Sequence, residues 1–549
     1  MVMAWNLRAV SRWAAAAAIC VSCESACSAQ DVSDPLRSRQ FSAIESGHAT
    51  WGHWGGKPGT YSKWTNHSNR LIPVYTFGMT LGDFKGAASV YRNPRMLEAI
   101  YGYIPEQTVN AEAEYFDQTQ IHTLQANAVA AGKKYIFLVI FDGMDWQTTQ
   151  AAATYRLGLA GYSDGRGHGL HFLDYRTDVM DYGWMVTSPR TDRYELDVDA
   201  QTARNADDRR GGYDPALGGA MPWASHVVSE YLMGTFRHRL HVVTDSASSA
   251  TSMTSGIKTY NAAINVDGDG RQVMPIARRL QADSGFAIGV VTSVPISHAT
   301  PAAAYANNVS RDDYQDLTRD LIGRSSIAHR QPPLSGVDVL IGAGWGDVAS
   351  EEARQGRNFV PGNRFLSDED LAAIDCRNGG KYELAIRTPG REGSAHLREA
   401  SQRAITGQHR LLGFFGCAAT GHLPYQTADG RFDPTRGVSR MEKYEPADLA
   451  ENPTLEDMTN AALDVLAARS DRVWLMVEAG DVDWANHENN IDDSIGAVFS
   501  GDAAVAAITA WIDARDAWDD SLLIVTADHG HYFNLVEPAA LIAPLPAPR

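Results

Sequence analysis

The chain has 549 residues, 44% of them hydrophobic and 21% charged, which are values of a folded globular protein and not of a disordered, collagenous or coiled-coil chain. At roughly 150 residues per domain, the length suits three or four small domains or one large, elaborated α/β domain. A formal net charge of −18 argues against nucleic-acid binding, which needs a basic stripe to displace counterions from phosphates, and leaves room for carboxylates that face bound cations.

In residues 1–29, Arg8 and Arg12 precede an apolar run from Trp13 to Val21, and small residues follow. That is the pattern of a cleaved export signal, and the run is too short to span a bilayer. Cleavage near Ala29 predicts a periplasmic or extracellular protein. A lipid anchor on Cys27 is the weaker alternative, because Glu24 suits the preceding box poorly. The mature chain would keep Cys376 and Cys417, which permits one disulfide. No later segment approaches about eighteen uninterrupted apolar residues, so no transmembrane span is expected.

Short apolar runs of strand length follow at Tyr135–Phe141, Ala287–Thr292, Val337–Ile341, Val473–Val477 and Leu522–Thr526. Amphipathic helical patterns separate them, including one from Pro453 with Thr454 as its N-cap and Glu456 and Asp457 in the first turn. This alternation predicts a mostly parallel central sheet covered on both faces, a three-layer α/β/α sandwich. Stretches at about 155–235 and 345–450 read as insertions. VDGDGR from Val266 reads as a hairpin turn, because the later ligands of a calcium loop are missing.

Ligands of such sheets bind beyond the carboxyl ends of the strands, and there the polar residues collect. Asp142 follows the first strand, Glu478 and Asp483 the fourth, Asp528 and His529 the fifth. Asp483 and His487 stand one helical turn apart, which suits two ligands to one ion. Asp528, His529 and His531 add metal-competent groups where the chain leaves the sheet, and imidazole with carboxylate suits zinc. Ser246 lies among small residues, where the start of a helix would aim N–H groups at an anion. No Gly-x-Ser-x-Gly elbow surrounds it, so a metal-activated hydroxyl is indicated in place of a His-activated triad. Pro301 opens a predicted helix that would carry Arg311, a bidentate phosphate clamp, about three turns onward. Taken singly, each of these has a bland reading: a surface ion pair, a Ser-rich loop, a solvated arginine.

Together, FDGMDW with Asp142, TDSASSAT with Ser246, SHATPAA with His298 and Thr300, VEAGDVDWANH with Glu478, Asp483 and His487, and TADHGH with Asp528, His529 and His531 resemble the alkaline phosphatase family over about residues 130–535. The resemblance implies two zinc ions and a neighbouring magnesium ion, whose six charges would bring the formal charge to about −12. It makes Asp483 and His487 ligands of the first zinc, and Asp142, Asp528 and His529 ligands of the second. Asp142, Thr300 and Glu478 would hold magnesium. Ser246 matches the nucleophile, Arg311 the phosphate-binding arginine, and His531 a partner that orients a ligand carboxylate. His298 stands where members carry Asp or His, which shifts the third site toward zinc, and Trp484 reads as a pocket wall.

The family also has a zinc-ligand His well after the Asp-His pair, and no His follows His531 here. His67, followed by a strand-like Leu71 to Phe77, resembles that late segment, so residues 30–128 are expected to supply a relocated strand and ligand ahead of a catalytic domain at 129–549. The expected function is exported hydrolysis of phosphate monoesters through a phosphoserine, with a homodimer as in much of the family. The alternatives are a phosphodiesterase of the same superfamily, or a silent phosphate- or metal-binding protein.

Overall fold

A computed structural model of the chain describes residues 34–62, 67–192, 194–205, 209–234 and 242–544. The export signal and Cys27 lie outside these residues. The centre is a ten-stranded sheet. Its strands in chain order are β1 (Ile72–Phe77), β2 (Phe116–Asp117), β3 (Tyr135–Phe141), β4 (Met180–Val186), β5 (Ala287–Pro295), β6 (Val339–Ala343), β7 (Tyr382–Ile386), β8 (Arg410–Phe414), β9 (Val473–Ala479) and β10 (Ser521–Thr526). Across the sheet they run β7-β8-β6-β5-β9-β3-β10-β1-β4-β2, and β1 alone runs against the others.

Both faces are covered, which is why the central strands are continuous apolar runs without alternation. On β9, Trp474 and Leu475 point to opposite faces. The Trp474 indole N–H donates to Gln125 Oε1 (2.9 Å) on helix α1 (Gln120–Ala130). Leu475 packs on the other face, where a Cβ added to Gly289 would meet both it and Leu466. The first face carries α1 and α3 (Ser246–Ser255). The second carries α5 (Leu455–Arg469) and α7 (Ile491–Asp513), and α2 (Trp146–Leu157) packs against α7. The fold is the predicted α/β sandwich. Helix α5 starts at the predicted cap: Thr454 Oγ1 accepts from the Asp457 N–H, and Asp457 returns a bond to the Thr454 N–H, an arrangement that typically contributes about 1 kcal/mol. Helix α7 is long and apolar enough to cross a membrane by length and composition, but most of it is buried inside the protein.

Two sequence expectations about these elements need correction. Both stretches read as insertions hold strands of the main sheet, β4 in the first and β7 and β8 in the second. These are edge-side strands, short or with polar residues on one side, so their apolar signal is weak. The expected Val337–Ile341 strand begins two residues later, at Val339. Cys376 and Cys417 are free thiols: Cys376 Sγ donates to Glu383 Oε2 (3.2 Å), and Cys417 is buried. The VDGDGR tract is a turn, closed by a Val266–Gln272 bridge and by Asp267 Oδ1 accepting from the Asp269 and Arg271 N–H groups.

Candidate active site

The carboxyl ends of β3, β5, β9 and β10 converge on one polar pocket. Asp142 follows β3 directly, Glu478 is the penultimate residue of β9, and Asp528 and His529 follow β10 by one residue. Helix α6 (Asp481–His487) starts two residues after β9 and presents Asp483 and His487 one turn apart. His67 reaches the same edge because β1 is antiparallel. In register Thr526 pairs with Val74 and Ser68 bridges Gly530, so the lead-in of β1 lies where β10 ends.

Two groups of metal-competent side chains result, and they share Asp483. The first comprises His67, Asp483, His487 and His531. Asp483 Oδ1 lies 2.6 Å from His531 Nε2, 3.4 Å from His487 Nε2 and 3.6 Å from His67 Nε2. The His67 Nδ1 is tied to the Thr244 carbonyl at 2.9 Å. The second group comprises Asp142, Asp483 and His529, with His529 Nε2 3.2 Å from Asp142 Oδ1 and 3.9 Å from Asp483 Oδ1, and Asp528 Oδ2 stands beside it at 3.5 Å from the same nitrogen. Asp528 Oδ1 accepts from the Gly143 and His529 N–H groups, whereas Asp142 Oδ2 and Asp528 Oδ2 are buried without a donor among the described residues. Gly143 is required here: its φ is +74°, and a Cβ would stand 2.7 Å from the His531 ring.

Electrostatics mark the pocket as short of positive charge. Burial, then Asp528, Asp483 and Glu478, push Asp142 well above the usual carboxylate range. Burial pushes Glu478 up to about 8, against the hydroxyls of Thr292 and Thr300. For Asp483 burial acts in the same direction, but His487, His531 and His67 outweigh it and hold the carboxyl well below its ordinary value. Burial brings His531 and His298 down to about 3 and His67 well below 6.5, so these rings are neutral and have lone pairs to offer.

Ser246 opens α3, capped by Asp245, whose Oδ1 accepts from the Ser248 N–H at 2.9 Å. Its Oγ lies 3.1 Å from His529 Nε2 and 3.4 Å from Asp142 Oδ1. This is not a Ser-His-Asp relay, because among the described residues the His529 Nδ1 has no partner to orient the ring. Asp245 Oδ2 also accepts from Arg311 Nη1 (3.1 Å), which holds the guanidinium beside Ser246, and Arg311 Nη2 faces His298 Nε2 at 3.3 Å. The expected helical route to Arg311 is wrong. Helix α4 (Ala299–Ala303) ends eight residues earlier, Pro301 is internal to it, and Arg311 is placed by its N–H donating to the Ala262 carbonyl.

The chain thus builds a serine, an arginine and two histidine–carboxylate groups at one sheet edge. The alkaline phosphatase family model matches residues 225–541, more than half of the 549 residues. The chain belongs to the alkaline phosphatase family. The match includes Ser246, Thr300, Arg311, Glu478, Asp483, His487, Asp528 and His529, while Asp142 and His67 lie before it. Among curated relatives, alkaline phosphatase 3 of Bacillus subtilis is 29% identical over 287 residues, covering 52% of this chain and 49% of the relative. Streptomycin-6-phosphate phosphatase of Streptomyces griseus is 30% identical over 333 residues (56% and 67%), and Escherichia coli alkaline phosphatase is 27% identical over 348 residues (62% and 69%). The chain spans about half the length of the Bacillus relatives it matches. A solved cold-active alkaline phosphatase from a Shewanella species is 20% identical, with a TM-score of 0.41 over 72% of this chain and 68% of that one.

Within this alkaline phosphatase-family site, Glu478 receives the Thr292 hydroxyl on Oε2 and leaves Oε1 buried without a partner. Trp484 stands edge-on to His298 (5.7 Å) and His422 (5.3 Å) as part of a wall. Several residues that shape the site escaped the sequence reading. Asn261 accepts from the Asp245 N–H and the Ser248 hydroxyl and donates to the Val243 carbonyl and Asp192, fixing the turn into α3. Gln118 and Ser249 bind the Asp528 carbonyl. Asp245 was legible as an N-cap three residues before Ser248, but Gln118 and Asn261 carry no local signal.

Proposed function

We propose that the chain hydrolyses phosphate monoesters through a phosphoserine on Ser246. The observation that carries this reading is the approach of Ser246 Oγ to His529 Nε2 and Asp142 Oδ1 at the start of α3, with Arg311 held alongside by Asp245. Cations fit the donor set: carboxylate oxygens of Asp142 and Asp528 and Oε1 of Glu478 are buried without donors, among neutral imidazoles. Asp483, His487 and His67 would hold one zinc ion, with His531 near enough to share that role. Asp142, Asp528 and His529 would hold a second, and Asp142, Glu478 and Thr300 a magnesium ion, or zinc if His298 contributes. When bound, these ions supply Lewis acidity that lowers the pKa of a hydroxyl or a water and offsets phosphoryl charge.

The chain's own residues do the rest. The N–H groups at the start of α3 and the Arg311 fork would face the phosphoryl oxygens and orient the ester. Ser246 Oγ attacks phosphorus in line with the departing alkoxide, which leaves as the alcohol, and water then cleaves the O–P bond of phosphoserine to release inorganic phosphate. Asp142 Oδ1 is the nearest carboxylate to the Ser246 hydroxyl and aligns its proton. The antiparallel seat of β1 beside β10 supports His67 as the relocated counterpart of the family's late histidine. Export by way of residues 1–29 belongs to the same reading.

Turnover of p-nitrophenyl phosphate against bis-p-nitrophenyl phosphate tests the substrate class. Dominant monoester turnover is expected; dominant diester turnover or none overturns the reading. Ser246→Ala should lose at least ~1,000-fold in kcat and all covalent phosphoenzyme, and a labelled Ser246→Ala chain removes Ser246 from the role.

A further inference from the structure

Gln118 joins two walls of the site that are far apart in the chain. It follows β2 directly and is fully buried. Its Nε2 donates to Ser249 Oγ at 2.6 Å and to the Asp528 carbonyl at 2.9 Å, and Ser249 Oγ donates to the same carbonyl at 2.7 Å. Ser249 lies on α3 one turn beyond Ser246, and the Asp528 carbonyl belongs to the peptide that leads into His529. Three polar groups therefore close a small ring between the nucleophile helix and the exit of β10. The direction of the amide is fixed by chemistry: a carbonyl only accepts, so the end of Gln118 that meets Asp528 must be the NH2.

The ring is retained at a cost. Among the described residues Gln118 Oε1 is buried without a partner, and a leucine would fill the same space without that penalty. Packing alone therefore does not explain an amide here. Gln118 is itself anchored. Its N–H donates to the Val186 carbonyl (3.1 Å), and the adjacent Asp117 accepts from Tyr91 Oη and lies 3.4 Å from Lys258 Nζ, an ion pair that is fully buried. Lys258 stands just beyond the end of α3, so a second tie links the same two segments.

We propose that Gln118 is a positioning residue for phosphoryl transfer: by clamping Ser249 to the Asp528 carbonyl it sets the 3.1 Å separation of Ser246 Oγ from His529 Nε2. This rests on Ser246 as nucleophile. The clamp comes from a segment that precedes the family match at 225–541. A shift of α3 by a fraction of an ångström moves Ser246 Oγ off its line with His529, while the α3 N–H groups and Arg311, which is tied to the Asp245 cap of the same helix, move together and still engage the phosphoryl group as a unit, so the effect belongs in kcat and not in KM.

Gln118→Leu removes both donors at similar volume, and Ser249→Ala removes the middle of the ring. Each should lower kcat on p-nitrophenyl phosphate about ten-fold with KM within about two-fold, and the double variant should be little worse than the poorer single, since both break one ring. In the metal-free chain, amide exchange at residues 247–250 should quicken about ten-fold in both. Near wild-type kcat in both singles, a fall that appears in KM, or losses that multiply in the double variant would each overturn the proposal. If Gln118→Leu does not fold, Ser249→Ala decides by the same kcat and exchange readings. An active, labelled Ser246→Ala chain would remove the nucleophile and this inference with it, whereas an inactive Ser246→Ala beside an unaffected Gln118→Leu removes this inference alone.

Discussion

The deep group of the site and the group at its mouth share Asp483 but are built from different materials. Asp142, Asp528 and His529 are fully buried and leave the ends of β3 and β10, neighbouring parallel strands with a shared register. His67, Asp483 and His487 come from the lead-in of an antiparallel strand and from a short helix, and the His487 side chain is 38% exposed. The deep group inherits its geometry from the sheet ladder, which admits no slip without turning every side chain to the other face. The mouth group depends on a contact between segments 420 residues apart, His67 Nε2 to His487 Nε2 at 3.3 Å. A fully buried half beside a more exposed one suits the proposed chemistry, in which one part would hold the nucleophile still while the other exchanged alcohol for water.

That contrast yields graded outcomes. The largest effect belongs to the deep group: His529→Ala should cost at least ~100-fold in turnover and lower the metal content of the purified chain, and activity within ten-fold of wild type would show that the buried group is not the working centre. His67→Ala comes next. Loss of a partner that only orients a ligand typically weakens metal binding by roughly 10–100-fold, so loss of His67 itself should weaken zinc by at least that much, seen as a fall in bound zinc on titration with a chelator and as partial recovery of turnover with added zinc. Two tightly held zinc ions with near wild-type turnover would end the relocated-ligand reading.

The smallest effect tests the wall beside the mouth. The His422 ring stacks on Tyr425 at 4.0 Å, meets Trp484 and is lowered to about 3 by burial. A depressed imidazole favours the folded state fully above its ordinary value near 6.5, and that contribution is lost as pH falls toward 3. Stability carried by His422 should therefore decline by about 1.4 kcal/mol per pH unit below 6.5. Urea midpoints at pH 7 and 5.5 should converge in His422→Leu relative to wild type; equal slopes would place the ring in contact with water.

Much of the deep group was readable in the chain. Strands such as Tyr135–Phe141 and Leu522–Thr526 declare themselves because both faces are buried, and a parallel sheet sends whatever follows such strands to one edge. Asp142, Glu478, Asp528 and His529 were therefore placed by local pattern alone. Arg311 does lie beside the start of α3, but by another route than the helix expected from Pro301, because its position is set by an N–H bond to the Ala262 carbonyl and by Asp245, neither of which has a periodicity. The strands β4, β7 and β8 were absorbed into supposed insertions because short strands near a sheet edge lack the continuous apolar signal of its centre.

By itself the sequence determined the α/β class, the edge at which the polar residues gather and the family motifs that name Ser246, because these follow from burial, strand direction and residue chemistry over a few neighbouring positions. Only the tertiary structure decided that β1 runs antiparallel against β10, that Asp483 is common to both histidine–carboxylate groups and that Gln118 closes a ring on Asp528. Those are contacts between distant segments, and their geometry is fixed by how packed elements meet and not by the residues on either side.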